Sequence, residues 1–320
     1  MMSLDLSDTL VVGISGTALY NLDDIDSRFR ELSASDPDSA IEIYRKEMSE
    51  TEEIPLEHGA GHPLVRALLN LNRHQSENES PLVEVVIMSR NSPETGLRIL
   101  NSIRHDGLSI TRSAFTAGES VVDYLDAFDV DLFLTTNVED AQRVIDSRVC
   151  AAAVLSKLPE HIDNLSDDQV RIAFDGDAVL FDEQSELVYK TKGIEAFRTI
   201  EDESKEIPLQ EGPYAVLLKK LAQLQDRLPG RIEYSPVRIA LVTARNSPAE
   251  IRVIKTLRAW GVYVDECFFL GGLEKTKVLR AFRPHIFFDD QDIHLDKAAE
   301  FVPSGKVLYA TDSPLAQEGE

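Results

Sequence analysis

The sequence has only two cysteines, Cys150 and Cys267, and neither belongs to a CxxC or a Cys/His cluster. That argues against a disulfide framework and a structural zinc site, and it fits a reducing cytoplasm. Long apolar runs are also missing. Those present, such as Cys150–Leu155 (CAAAVL), fall far short of the roughly 20 residues that span a bilayer, so no membrane partner is expected. The N-terminus, MMSLDLSD, has no basic stretch ahead of an apolar one, so no secretion signal is expected. Basic residues are scarce: 33 against 56 acidic ones, a formal net charge of −23. Such a surface repels a phosphate backbone, so nucleic acid is not an expected partner. The acids are scattered through DLSDTL, NLDDID, EMSETEE and EDESKE and read as solvated surface. Any small anion would need a local cation or a metal to overcome that field.

With 320 residues and 43% apolar composition, the chain has room for two α/β domains or one large one. Strand-like runs occur at Thr9–Ile14, Val83–Met88, Asp131–Leu134, Val170–Phe174, Val237–Val242 and His285–Phe288. Helix-like stretches lie between them, among them Glu94–His105 and Ala249–Trp260, each followed by a glycine, Gly107 or Gly261. The alternation predicts βαβ units and parallel sheets. Ligands of such sheets gather at the carboxyl ends of the strands.

The chain also repeats itself. RNSP occurs at Arg90–Pro93 and again at Arg245–Pro248, and EIPL at Glu53–Leu56 and Glu206–Leu209. Ala114–Asn137 aligns without a gap on Phe268–Gln291, and Gly13–Asn21 on Ala173–Phe181. Several matches in one order at nearly equal offsets predict a duplicated α/β unit. The expected halves are 1–165 and 166–320, each Rossmann-like, with the polar stretch Glu160–Asp168 near the boundary. The copies differ in chemistry. Asp175 and Asp177 face Ser15 and Thr17; Asp289 and Asp290 face Thr135 and Thr136; Lys275 faces Val121. Aligning the RNSP motifs sets Thr243 opposite Met88. The second half therefore reads as the chemical half and the first as a degenerate partner, which buttresses the cleft or supplies base or effector contacts.

In the second half, Asp175, Asp177, Thr243, Lys275, Asp289 and Asp290 each lie at or near the end of an apolar run. A doubly wound sheet would bring them to one edge. Several carboxylates together call for a divalent cation, and Mg²⁺ suits hard oxygen ligands shared with a phosphate. A hydroxyl and an ammonium add donors for an anionic group, a combination used in phosphoryl transfer. In the DGD of Asp175–Asp177, the first carboxylate can attack phosphorus, and the second can protonate a leaving alkoxide and then activate water.

Four strings sharpen this reading: IAFDGDAVLF (Ile172–Phe181), ALVTARN (Ala240–Asn246), KTLRAWG (Lys255–Gly261) and FRPHIFFDDQ (Phe282–Gln291). With SGTALYN (Ser15–Asn21) and LNSIRHDGL (Leu100–Leu108), they resemble the cytosolic 5′-nucleotidase I family, within the haloacid dehalogenase superfamily of phosphatases. The resemblance implies two haloacid-dehalogenase-like halves with small helical cap insertions. It also implies Mg²⁺-dependent hydrolysis of nucleoside 5′-monophosphates, AMP foremost, through an aspartyl phosphate. By that resemblance Asp175 is the nucleophile, Asp177 the general acid/base, and Thr243 and Lys275 the phosphate-binding pair. The metal ligands are Asp175, Asp177 through its backbone carbonyl, and Asp289 or Asp290. The cap segment is expected at about 182–235, with Phe181 and Tyr214 as candidate stacking partners for the base. A homo-oligomer and a nucleotide effector are left open.

Other residues carry weaker signals. Lys277 and Arg245 compete with Lys275 as the phosphate-side cation. His285 lies within the apolar run PHIFF and reads as a hydrogen-bonded core residue. His58 and His62, in EHGAGHP, have ligand-like spacing, but the repeat sets them over QEGPYA, which favours a surface or capping role. Two rival functions remain: a phosphatase of the same superfamily acting on a sugar phosphate, and a nucleotide-binding regulatory protein without turnover.

Overall fold

Runs of β-branched and aromatic residues with one or both faces apolar form strands where a sheet can bury them. In a computed structural model of the chain, residues 5–77, 79–94, 96–160, 162, 165–230 and 235–317 are described. Thr95, within the helix expected at Glu94–His105, lies outside the described residues. So do positions 161, 163 and 164 of the polar boundary stretch and positions 231–234 of the expected cap. Among the described residues there are twelve strands: β1 (Leu10–Ile14), β2 (Tyr20–Asn21), β3 (Glu57–His58), β4 (Val83–Ser89), β5 (Arg112–Phe115), β6 (Leu132–Thr135), β7 (Ala151–Leu155), β8 (Val170–Phe174), β9 (Val237–Thr243), β10 (Glu266–Phe269), β11 (Ile286–Asp289) and β12 (Ser304–Lys306). All six strands expected from the sequence form, to within a residue or so at each end.

Ten of the twelve join one mostly parallel sheet in the order β10-β9-β8-β11-β12-β7-β6-β1-β4-β5. Read inward from either edge, the two five-stranded halves have the same order. The registers match as well: Val170 pairs with Val237 as Leu10 pairs with Val83. This repeats the duplication seen in the sequence, and it corrects one alignment. Leu241 stands to Phe174 as Ile87 stands to Ile14, so Thr243 corresponds to Ser89 and not to Met88. The first half is one residue shorter between its strand and RNSP.

The halves do not keep separate sheets. β12 and β7 pair antiparallel, Gly305 with Leu155 and Lys306 with Val154. The pairing covers the inner edge of each half, which would otherwise present bare N–H and C=O groups. An antiparallel seam between two parallel halves also reverses their direction. Their carboxyl-terminal strand edges therefore lie at opposite ends of the sheet.

Successive strand residues point to opposite layers. Ile172 and Phe174 belong to a core that runs continuously under both halves, with helices His62–Asn70, Leu97–His105, Ala215–Asp226 and Ala249–Ala259 packed on it. Ala173 and Phe287 face the other layer, where the core is divided. One cluster lies under helix Val138–Ser147, the other under helices Thr276–Phe282 and Asp292–Ala298. Among the described residues no helix is long and apolar enough to cross a membrane.

Candidate active site

Three adjacent strands of the second half, β9, β8 and β11, end side by side and carry most of the expected residues. Asp175 follows β8 directly, and its backbone N–H donates to the Phe288 carbonyl at 2.8 Å. The chain then turns through Gly176–Leu180, with Ala178 at φ 58°. A Cβ on Gly176 would sit 3.2 Å from Thr243 Oγ1, so glycine allows the DGD turn to lie against the end of β9. Thr243 is buried and its Oγ1 accepts from Arg245 N at 3.2 Å.

Lys275, just ahead of helix Thr276–Phe282, reaches into this group. Its Nζ lies 2.8 Å from Asp175 Oδ1 and 2.6 Å from Asp289 Oδ2. Asp289 Oδ1 accepts from Gln291 N at 2.9 Å. Asp290 Oδ2 accepts from the Tyr309 hydroxyl, while its Oδ1 is buried without a partner among the described residues. One carboxylate oxygen from each of Asp175, Asp289 and Asp290 lies within 4.8 Å of the others. All three residues and Lys275 are at most 5% exposed.

Three buried carboxylates against one ammonium leave an excess of negative charge. Burial, opposed by Lys275 and reinforced by Asp289, holds the Asp175 carboxyl up at about 6. Burial, with Asp175 and Asp289 adding to it, pushes Asp290 up to about 9. Burial works against the charge on Lys275, but the facing carboxylates outweigh it and raise the ammonium to about 12. A hard divalent cation fits this donor set: it would take up the partnerless Asp290 oxygen and relieve the repulsion.

Asp177 does not join that triad through its side chain. Arg245 grips it, Nε to Oδ2 at 2.9 Å and Nη2 to Oδ1 at 2.6 Å. Arg245 Nη1 also donates to Glu201 Oε2 at 2.7 Å. Glu201 Oε1 in turn accepts from Arg252 Nη1 at 3.1 Å and Ser185 Oγ at 2.9 Å. Arg245 and Glu201 side chains are each 1% exposed. Neither Glu201 nor Tyr309 stands out in the sequence, since no motif marks either. Of the competing cations, Lys275 is the one among the acids, and Arg245 stands on the Asp177 side.

A cavity of about 380 Å³ opens over the site, lined by Asp175, Asp177, Thr243 and Arg245. Its far wall comes from helix Gln184–Glu203, which Gly193 (φ 79°) breaks in the middle, and includes Tyr189, Lys190 and Phe197. His294 lines it too. The cap expectation narrows accordingly: helix Ala215–Asp226 is packed into the core and does not line the cavity. Phe181 and Tyr214 are corrected as stacking candidates. Both are fully buried, Phe181 against Trp260 and Tyr214 against Phe288, and neither lines the cavity. No described first-half residue lines it either, because the strand ends of that half face the other way. His285 is a buried core residue whose Nδ1 accepts from Arg171 N at 3.1 Å.

A family model described as 5′-nucleotidase matches residues 2–314. The chain is 33% identical over 297 residues to a human (Homo sapiens) protein named cytosolic 5′-nucleotidase 1B, a match covering 91% of this chain and 47% of that protein. The chain thus spans about half the length of the curated relative it matches. No solved structure matches.

Proposed function

Since this chain belongs to the 5′-nucleotidase family, we propose that it hydrolyses nucleoside 5′-monophosphates, AMP foremost, to nucleoside and phosphate, and requires Mg²⁺. The observation that carries this reading is the meeting of Asp175, Asp289, Asp290 and Lys275 at one strand edge, beside Asp177 and Thr243. Asp175, Asp289 and Asp290 would hold the metal, whose charge would offset the carboxylates and the phosphoryl group together.

Asp175 attacks phosphorus, forming an aspartyl phosphate as the P–O bond to the nucleoside breaks. Asp177 donates a proton to the departing alkoxide, then takes one from the water that attacks the intermediate and releases phosphate. Thr243 Oγ1 donates a hydrogen bond to a phosphoryl oxygen, and Lys275 neutralises charge there. Arg245 occupies both oxygens of Asp177, so the first step needs that pair to loosen. An incoming phosphoryl dianion supplies the means, by drawing the guanidinium onto its own oxygens. Tyr189 and Phe197, on the cavity wall, are the aromatic candidates for packing against the nucleoside. The proposed compartment is the cytoplasm, where Cys150 and Cys267 stay unpaired.

The test is phosphate release from a panel of nucleoside and sugar monophosphates, with and without Mg²⁺. Release from AMP that stops on chelation is expected, and Asp175→Asn should lower it by on the order of 10³-fold or more with the circular dichroism spectrum unchanged. Preference for sugar phosphates would overturn the substrate assignment, and no release from any ester would leave a binding protein. Full activity in Asp175→Asn would overturn the nucleophile assignment.

A further inference from the structure

The first half holds a polar cluster that the chemistry above does not use. β2 and β3 pair antiparallel, placing Tyr20 opposite His58. His62 opens helix His62–Asn70, and Asp106 follows helix Leu97–His105. Their polar atoms converge on one oxygen. Asp106 Oδ2 lies 3.3 Å from His58 Nε2 and 3.2 Å from His62 Nε2, and it accepts from the Tyr20 hydroxyl at 2.9 Å. The two imidazoles stack, with centroids 3.5 Å apart and planes 8° from parallel. His62 is buried rather than at the surface, while the His58 side chain is 45% exposed.

The duplication supplies an internal control. Phe181 bridges Glu211 as Tyr20 bridges His58, so the turn after the strand is one residue longer in the second half and Phe181, not Leu180, takes the place of Tyr20. Trp260 N donates to the Thr256 carbonyl as Asp106 N donates to the Ser102 carbonyl. The second half therefore fills the same place with Phe181, Glu211, Ala215 and Trp260, and Phe181 packs on Trp260 at 5.6 Å. An aromatic pair and a small residue satisfy the buried part of that place, with Glu211 at the surface. Packing does not call for two histidines and an aspartate in the first half.

The distances point to a ligand set. A tetrahedral zinc site with bonds of about 2.0–2.1 Å has ligand–ligand edges of about 3.3 Å. The two N···O separations, 3.2 and 3.3 Å, match that edge. They are long for charge-assisted hydrogen bonds, which run about 2.7–2.9 Å. We propose that His58, His62 and Asp106 form a second metal site, for a borderline divalent cation of the zinc type, with its fourth position open to water. The cysteine count argued against structural zinc, but this donor set uses no sulfur. It also differs from the all-oxygen aspartate centre, which favours a harder ion. Parallel rings cannot aim both lone pairs at one ion, so one ring has to tilt. His58, half-exposed, has the room; His62 stays fixed. A bound ion would tie the β2–β3 ribbon to the end of helix Leu97–His105.

The test titrates Co²⁺, then Zn²⁺ as competitor, into untagged full-length protein held at saturating Mg²⁺, reading visible absorption and calorimetric stoichiometry. One Co²⁺ per chain with the intense bands of a tetrahedral N₂O site is expected, displaced by Zn²⁺. His58→Gln and His62→Gln should each weaken it at least tenfold, and Asp289→Asn should leave it intact. His58→Gln alters an exposed side chain, so it keeps the test valid if His62→Gln does not fold. Absence of tetrahedral Co²⁺, binding indifferent to His58, or loss of binding in Asp289→Asn would each overturn the proposal.

Discussion

Removing Glu201 should unfold the chain at markedly lower denaturant, although Glu201 touches neither the aspartate triad nor the cavity. Its carboxylate is 1% exposed and accepts from Arg245, Arg252 and Ser185. In Glu201→Ala, Arg245 stays buried with Asp177 as its one remaining carboxylate among the described residues, and the Ser185 hydroxyl loses its Glu201 acceptor. Breaking a buried ion pair from one side costs about 3–5 kcal/mol, because the other charge is left without its partner. In a chain of this size 1 kcal/mol moves the melting point by roughly 2 °C, so a fall of about 6–10 °C is expected. Glu201→Gln keeps an acceptor for Ser185 and one guanidinium N–H, and should lose less. Guanidinium chloride unfolding followed by tryptophan fluorescence and far-UV circular dichroism measures both. A loss below about 1 kcal/mol in Glu201→Ala would refute the reasoning, since it would mean that Arg245 had never depended on this partner.

Two further outcomes follow from the geometry. Burial holds the His285 ring down at about 4, against 6.5 for a free imidazole, so it folds neutral. Stability from this residue is then complete above pH 6.5 and is lost as pH falls toward 4, by at most roughly 3 kcal/mol at 1.36 kcal/mol per pH unit; His285→Asn should flatten the stability–pH curve in that window, and an unchanged slope would contradict it. A Cβ on Gly212 would lie 2.3 Å from the Phe181 carbonyl oxygen, so Gly212→Ala should lose more than about 2 kcal/mol in the same unfolding assay, whereas a neutral result would mean the turn can shift.

The strands legible in the sequence were those that are mostly apolar, such as Val83–Ser89 and Val237–Thr243, each with a single charge, Glu84 or Arg238. β5, β7, β10 and β12 went unassigned because they are short, alanine-rich or half-exposed, and periodicity says little about such segments. The repeat gave the order of the halves but could not show that β7 and β12 would close them into one sheet, since two short segments carry that contact. At the candidate site, the residues on motifs come together at one strand edge, Asp175, Thr243, Lys275, Asp289 and Asp290 among them. Phe181 and Tyr214 were misread because an aromatic beside a motif looks the same in sequence whether it faces ligand or core. Glu201 and Tyr309 act from 24 and 19 residues away from Asp177 and Asp290 by folding alone, and their types and spacing carried no signal. His58 and His62 had the spacing of ligands, but their aspartate partner lies 44 residues beyond His62.

The reversal at the β7–β12 pairing has a consequence for how the molecule can be divided. Severing the chain between Ser156 and Gln169 would yield two pieces that each bury one face of a shared core and each end in an unsheathed strand. Neither fragment could hide that margin alone, so each would be driven to find the other or to find a copy of itself. The first half thus serves the second as a permanent stand-in for a second subunit.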